Sequence, residues 1–414
     1  MSTQNRLPHE PGMAQGLILL LPCTLSVMGI VVLIPVLPQL MASFSHVPGY
    51  QYLIQGGVLT MPALCIALFS PLAGWLADRY GRRRILIGAM VAYGVVGIAP
   101  AFLQDLYAIV ATRVGVGLCE AVIMTASTTL ISDYFHGHAR EKWLASQTAV
   151  ASLSSLALIM IGGVLGSAYG WRGPFFVYAF GSVLAIGVWL LTWEPKFNNS
   201  ATQTHNVDDP ETPAFPWARI AGICAITLFA SVMFYTIQTQ SSLALASLGV
   251  QDPARLSVFT AIASLGVPLG TFVYRAVLRW SIGLLLCIEF GIIGIGFVLM
   301  GKAPTAEMFV AAAALNQIGC GMILPTLLVW ATRGLHFQIR GRGTGAWQAT
   351  FAVGQFVCGL VVTWLALRLG GPLPAFVVLG VSSAIAALLA IAGHRVIRTS
   401  PPLATHTSSA GAAH

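Results

Sequence analysis

Gly74-Trp75-Leu76-Ala77-Asp78-Arg79-Tyr80-Gly81-Arg82-Arg83-Arg84 crowds five charges into eleven positions of a 414-residue chain that is only 8% charged and 57% hydrophobic. It lies between two apolar stretches, so it reads as a short turn where two membrane helices meet water on the side that favours basic residues. The offsets have physical content. Gly74 lets a neighbouring helix approach closely, Asp78 can pair with a base or a helix N-terminus, and Arg82, Arg83 and Arg84 hold the turn in the cytoplasm.

Working outward, the rest of the chain has the composition of a membrane-embedded protein. Mean hydropathy is +0.81, with 43 Gly and 22 Pro, which is too apolar for a soluble domain. Crossing the hydrocarbon takes roughly 20 apolar residues. Twelve such stretches are found, at 14–41, 51–77, 85–103, 106–132, 143–168, 173–193, 217–247, 255–278, 281–300, 305–332, 342–367 and 372–395. The first is long, follows Glu10 and has no small-residue cleavage site, so it is expected to remain as a helix and not be removed as a signal peptide. With the N-terminus inside, Arg6, Arg79, Arg82, Arg83, Arg84, Arg140, Lys142, Lys196, Arg219, Arg275, Arg279, Arg333, Arg340, Arg342, Arg395 and Arg398 fall in the cytoplasm. Arg172, Arg255, Lys302 and Arg368 fall outside and Arg113 within the membrane. That asymmetry predicts an inner-membrane protein with both termini cytoplasmic. The net charge of +8 is therefore topology information, and bases spread over short loops do not point to nucleic acid.

Catalytic and cofactor chemistry find no foothold. Cys23, Cys65, Cys119, Cys224, Cys287, Cys320 and Cys358 all sit inside apolar stretches without a Cys-x-x-Cys pair, and read as small core residues. The nine His residues are dispersed, with no pairing suited to a metal or to hydrolysis. Gly296-Phe297-Val298-Leu299-Met300-Gly301-Lys302 resembles a phosphate loop, but Ala303 stands where a hydroxyl must reach magnesium. The chain is read as a non-enzyme without cofactor or metal. Residues 194–216 are rich in turn formers and too polar to pack, and divide six helices from six as a cytoplasmic linker. The expected organisation is an N-terminus at 1–13, bundles at 14–193 and 217–397, and a disordered tail at 398–414.

The opening run resembles the loop between helices 2 and 3 of the major facilitator superfamily of secondary transporters, with Gly74, Asp78, Arg79, Gly81, Arg82 and Arg83 matching the gating motif. The resemblance implies an all-α membrane protein of twelve transmembrane helices in two pseudo-symmetric six-helix bundles around a midplane site. A faint repeat agrees: Gly270-x-x-x-Tyr274-Arg275-x-x-x-Arg279 follows the eighth stretch as Gly74-x-x-x-Asp78-Arg79-x-x-x-Arg83 follows the second, with Tyr274 replacing the acid. In the first helix, Gly29 followed after five residues by Pro35-Val36-Leu37-Pro38 resembles the signature of the twelve-helix drug:proton antiporter branch. Pro35 removes a backbone hydrogen bond and lets the outer end bend as a gate, against the simpler reading of a helix fraying near Pro38. Ile109-x-x-x-Arg113-Val114-x-x-Gly117 resembles the fourth-helix motif, with Val116 where Gln is common, and Trp171-Arg172-x-x-Phe175 resembles the turn between helices 5 and 6. Helix 5 departs from the antiporter pattern. Gly162-Gly163 is present and, with Gly166, permits close packing, but Leu158-Ile159 replace the usual Gly-Pro.

An Arg in hydrocarbon costs at least ~2.5 kcal/mol, so Arg113 is expected to face the interior cavity and find a partner. Glu120, seven residues on, returns to the same helix face about 10 Å further along. Intramembrane acids are functional by default, which makes Glu120 the leading proton carrier and Arg113 its modulator. Glu289, the only other acid so deep, ranks second, with a structural or lipid-facing neutral role weighed equally. Helices 1, 4, 7 and 10 line the cavity in this superfamily. Met28, Met124, Tyr235, Gln238, Asn316, Gln317 and, on helix 11, Trp347 are the cavity candidates, an uncharged, polarizable set suited to an amphipathic or weakly cationic compound. The expected protein is a monomeric, proton-coupled exporter of a small organic compound, its partners being protons, substrate and the bilayer. Uptake of such a solute is the alternative, and a non-transporting receptor the remote one.

Overall fold

The computed structural model describes residues 11–194, 215–333, 335 and 337–392. Eleven helical runs are long and apolar enough to cross a membrane, and one of them is two crossings. Gly137–Leu191 is broken by a 3-10 turn over Gly170–Tyr178, entered at Gly170 with φ +66. Its first part, at 1.5 Å per residue, is already about 50 Å long and exceeds the hydrocarbon by itself. The twelve crossings are α1 (Met13–Ser43), α2 (Tyr50–Tyr80), α3 (Arg82–Ala101), α4 (Leu106–Tyr134), α5 (Gly137–Tyr169), α6 (Ala179–Leu191), α7 (Trp217–Ser247), α8 (Pro253–Val277), α9 (Ile282–Gly301), α10 (Ala306–Thr332), α11 (Phe337–Leu369) and α12 (Pro372–Ala392). α5 and α11 begin several residues before the hydropathy-based expectation. Their first turns are polar, as in Arg140, Glu141 and Lys142, and hydropathy sees only the part in hydrocarbon.

Proline decides the breaks. In α1 the backbone tightens to a 3-10 turn at Ile34–Val36 around Pro35, and the helix resumes over Leu37–Ser43 with Pro38 in its first turn, where the missing N–H costs nothing. The helix therefore tightens at Pro35 and does not fray at Pro38. α2 opens with a π-helical segment, Leu53–Thr60, and carries Pro71.

Two apolar cores form, one from Leu19 to Val188 across α1–α6 and one from Ala230 to Ala387 across α7–α12, so the fold is two six-helix bundles. We call the end bearing the Gly74–Arg84 turn the basic end and the opposite one the far end. The halves are clasped towards the far end. Gln55 Nε2 donates to the Thr239 carbonyl at 2.9 Å and Ser242 Oγ to the Ile34 carbonyl at 2.5 Å. Ser167 Oγ donates to Asp252 at 2.6 Å and accepts from the Ala254 N–H at 3.0 Å. A side chain at Gly163 would strike Ser257 and the Pro253 carbonyl, and one at Gly359 would strike Thr60 and the Gln55 backbone. Small residues here let the helices of opposite halves touch by backbone. The segment Asn198 to Pro213 and the tail after Arg398 lie outside the described residues.

Candidate functional site

At the basic end, α2 stops because Gly81 takes φ +96, which L side chains rarely adopt. Four residues after Asp78, Arg82 folds back on it with Nη2 at 2.7 Å, and its Nη1 lies 2.5 Å from both oxygens of Asp133 at the end of α4. One guanidinium, 13% exposed, thus ties α2, α3 and α4 together. The Arg83 N–H at the start of α3 donates to Glu194 at 3.2 Å, and its guanidinium reaches Thr192 and the Trp189 carbonyl. Arg79 is exposed, 5.3 Å over the Trp75 ring. One expectation needs correction. A Cβ at Gly74 would meet only Thr125 at an ordinary 3.6 Å, so close approach does not require that glycine. Asp78 pairs with a base of its own turn, Arg82.

A second cluster lies inside the N-terminal bundle. Arg113 is fully buried; its Nη1 donates to Tyr178 Oη at 2.8 Å and Nη2 to the Gly97 carbonyl at 3.5 Å. Its guanidinium sits 4.8 Å over the Tyr178 ring and 5.3 Å over that of Phe175. Cation–π contacts in desolvated sites are worth about 2 kcal/mol, the scale of the ~2.5 kcal/mol cost of placing Arg in hydrocarbon. Tyr178 passes its own proton to the Gly29 carbonyl at 3.2 Å, and Tyr93 donates to the Leu25 carbonyl at 2.6 Å. Glu120 is 1% exposed and its Oε1 has no partner. A Cβ on Gly29 would fall on that carboxyl oxygen. Arg113 and Glu120 therefore meet the same layer, built by α1, α3 and the 3-10 turn before α6, without forming a direct ion pair. Arg113 faces this enclosed layer and not an open cavity: Tyr178, the Gly97 carbonyl and two aromatic rings surround it, and its Nε has no partner. In the other half the corresponding helices α9, α10 and α12 pack Phe297, Phe309 and Phe376 at ring separations of 5.8 Å. Those same helices α9 and α10 also bury Glu289, Thr326 and Asn316.

Glu289 is buried between α8, α9 and α10 and not lipid-facing, since Thr326 Oγ1 donates to its Oε1 at 2.5 Å; Oε2 has no partner.

The cavity candidates divide. Asn316 donates to the Ile293 carbonyl at 2.9 Å, Gln317 packs where Gly266 of α8 approaches, and Met28 belongs to the N-terminal core. These three face their own bundle, which corrects their placement. Met124, Tyr235, Gln238 and Trp347 are half-buried. Tyr235 and Trp347 both pack on Phe351, at 5.4 and 5.7 Å, with Phe234 at 5.6 Å, so α7 and α11 share one aromatic shelf.

The family model of the Major Facilitator Superfamily matches residues 19–336, most of the chain. This chain belongs to the major facilitator superfamily. The Staphyloferrin B transporter of Staphylococcus aureus is 24% identical over 89% of this chain and 90% of its own length. The class G tetracycline resistance protein of Vibrio anguillarum is 31% identical over 37% of this chain and 38% of its own. Among solved structures, a bacterial homologue of the lysosomal transporter Spinster, in an inward-facing and occupied conformation, aligns with TM-score 0.72 at 16% identity over 92% of this chain and 96% of that one. A D-xylose-proton symporter aligns with TM-score 0.74 at 16% identity over 91% and 96%. At such identity these two establish the fold alone.

As a superfamily transporter the protein carries polar residues that sequence reading missed: Asp133, Glu194, Tyr93, Tyr178 and Thr326. The available signal was their position, each a polar group at the end of, or isolated within, an otherwise apolar span. What was unavailable was helix rotation, which decides whether a hydroxyl meets lipid or Arg113.

Proposed function

We propose that this superfamily transporter exports a small, amphipathic organic compound by alternating access in exchange for protons, with Glu120 as the proton carrier and Arg113 as the charge that modulates it. The buried Arg113–Tyr178–Tyr93–Glu120 layer carries this reading. Ionisable and hydroxyl groups in the membrane interior are costly and persist where they serve a pathway. Glu120 is a buried carboxyl with no ion-pair partner and an unpartnered Oε1. Exchange needs such a carboxyl to be neutral in one state and charged in the other. Glu289, hydrogen-bonded to Thr326 alone, ranks second.

The excess of bases at the basic end supports placing that end in the cytoplasm. A clasp at the far end then corresponds to a state closed to the outside, one of the two that alternating access needs. The half-buried aromatic shelf of Tyr235, Phe351 and Trp347 supports an uncharged or weakly cationic organic cargo, and resistance proteins among the relatives support export. One observation favours uptake: α5 runs unbroken through Leu158-Ile159, without the kink-forming Gly-Pro.

A labelled-compound screen in everted vesicles tests the proposal. Accumulation with the proton gradient on, lost when it is collapsed, is the expected result. Gradient-driven loss from the vesicles establishes uptake instead, and accumulation indifferent to the gradient sinks proton coupling.

A further inference from the structure

Trp171-Arg172-x-x-Phe175 lies on the 3-10 turn Gly170–Tyr178, which runs from the exposed Arg172 to the fully buried Tyr178. Its rings belong to one continuous column. Phe44, at the outer end of α1, meets Trp171 edge-on at 5.5 Å, and Trp171 meets Phe175 at 6.1 Å. Phe175 stacks on Tyr178 at 6.3 Å, and Tyr178 meets Tyr93 at 5.2 Å. These are separations at which aromatic pairs attract. The Arg113 guanidinium lies over Phe175 and Tyr178, so the column ends on the charge beside Glu120.

The turn is wedged. A side chain at Gly173 would strike the Leu165 carbonyl of α5, and one at Gly97 of α3 would strike the Tyr178 ring. Close-packed interiors transmit strain and do not absorb it. At the other end, Phe44 closes the segment Leu37–Ser43 beyond the Pro35 break. Within that break the Ile34 carbonyl accepts from Ser242 of α7. The outer end of α1 thus touches the opposite half on one side and the ring column on the other.

We propose that Phe44 and Trp171 are positioning residues for the proton site: through Phe175 and Tyr178 they set where the Arg113 guanidinium lies relative to Glu120, and so make the proton affinity of Glu120 depend on whether the far end is shut. This role rests on Glu120 as the proton carrier. The titratable groups around Glu120 are Arg113 and Cys119 on its own helix, Cys65 on α2, Tyr93 on α3 and Tyr178 on the turn, while α1 meets it at Gly29. Arg113 alone among them is charged at neutral pH. Its distance from Glu120 is therefore what the column can change, and charge interactions away from water depend strongly on distance.

The test uses the full-length protein in lipid nanodiscs and dicyclohexylcarbodiimide, which adds to protonated carboxyls in apolar surroundings. Mass spectrometry after short exposures reads labelling at Glu120 against pH, with Glu289 in the other half as internal reference. The pH of half-labelling at Glu120 should move by about half a unit or more in Trp171→Ala, a threefold change in proton affinity. It should stay in place in Trp171→Phe, which keeps a ring between Phe44 and Phe175. Phe176→Ala removes an exposed ring of the same turn that packs on Phe102, outside the column, and should leave both profiles unmoved. Phe44→Leu removes the edge contact at little loss of volume; it should shift Glu120 alone and serves if Trp171→Ala fails to fold. A Glu120 profile unmoved in the folded variant, as large a shift in Trp171→Phe or Phe176→Ala, or an equal shift at Glu289 overturns the assignment, as does a Glu120 that never labels. Cargo movement without protons in a parent whose Glu120 profile responds as expected sinks the coupling reading and leaves the positioning role standing.

Discussion

Gly29 and Glu120 occupy one space. The absence of a side chain on α1 is what admits the carboxyl from α4, so Gly29→Ala forces Glu120 out of its place at an overpacking cost of about 1–3 kcal/mol. We expect the variant to insert normally and to lose proton-driven transport as fully as Glu120→Gln; parental transport would dissociate the two residues. Tyr178→Phe keeps the ring under Arg113 and removes the 2.8 Å acceptor. The stranded donor costs about 1–3 kcal/mol, which a lowered thermal midpoint in detergent should show, and an unchanged midpoint would mean that the rings alone hold the guanidinium. At the basic end, Arg82 is shared by Asp78 and Asp133. Asp133→Asn, at a position no motif marks, is expected to slow transport as severely as Asp78→Asn, with initial rates as the measurement; parental rates would confine the role to Asp78.

The clasp between α5 and α8 is the element that must open for the halves to rock. Its Asp252 carboxyl is held below the ordinary range, first by the Ser167 hydroxyl and then by the backbone N–H groups of Arg255 and Ala254. A depressed folded value means that this contact is at full strength above the usual Asp range near 3.9 and is lost only as pH falls through the lower folded value. The clasp is therefore constant between pH 5 and 8, and pH dependence in that window arises elsewhere. Ser167→Ala should broaden far-end spin-label distances between α5 and α8 towards longer values and leave the shape of the pH–rate profile intact; an unchanged distance distribution, or an altered profile shape, would contradict this. The twelve crossings and the break in α1 at Pro35 were legible because hydropathy and proline act locally. The 3-10 turn at Gly170–Tyr178, which carries Phe175 and Tyr178 to Arg113, was legible only as a motif. Its packing depends on the rotation of α3, α4 and α6 about their axes, set by contacts far apart in the chain. Asn316 and Gln317 show the same limit: amide residues on a correctly placed helix, facing its neighbours.

Over the whole molecule, each bundle has its own apolar core, and a polar, non-periodic segment runs between them in the sequence. Halves separated within Asn198 to Pro213 and co-expressed should reassemble into a transporting protein; failure of the pair to accumulate in the membrane would mean that the segment packs on the bundle. The pseudo-repeat duplicates the scaffold and not the chemistry: Tyr274 replaces Asp78, and no buried arginine stands among Phe297, Phe309 and Phe376 of the described second half. In the function we propose, coupling rests on Glu120 in one half while movement belongs to both. The most direct measurement is proton flux in proteoliposomes loaded with a pH-sensitive dye, driven only by a downhill cargo gradient. The parent protein should change the internal pH as cargo leaves, whereas Glu120→Gln should pass cargo with the dye silent. A Glu120→Gln protein that still moves protons with its cargo would contradict the account.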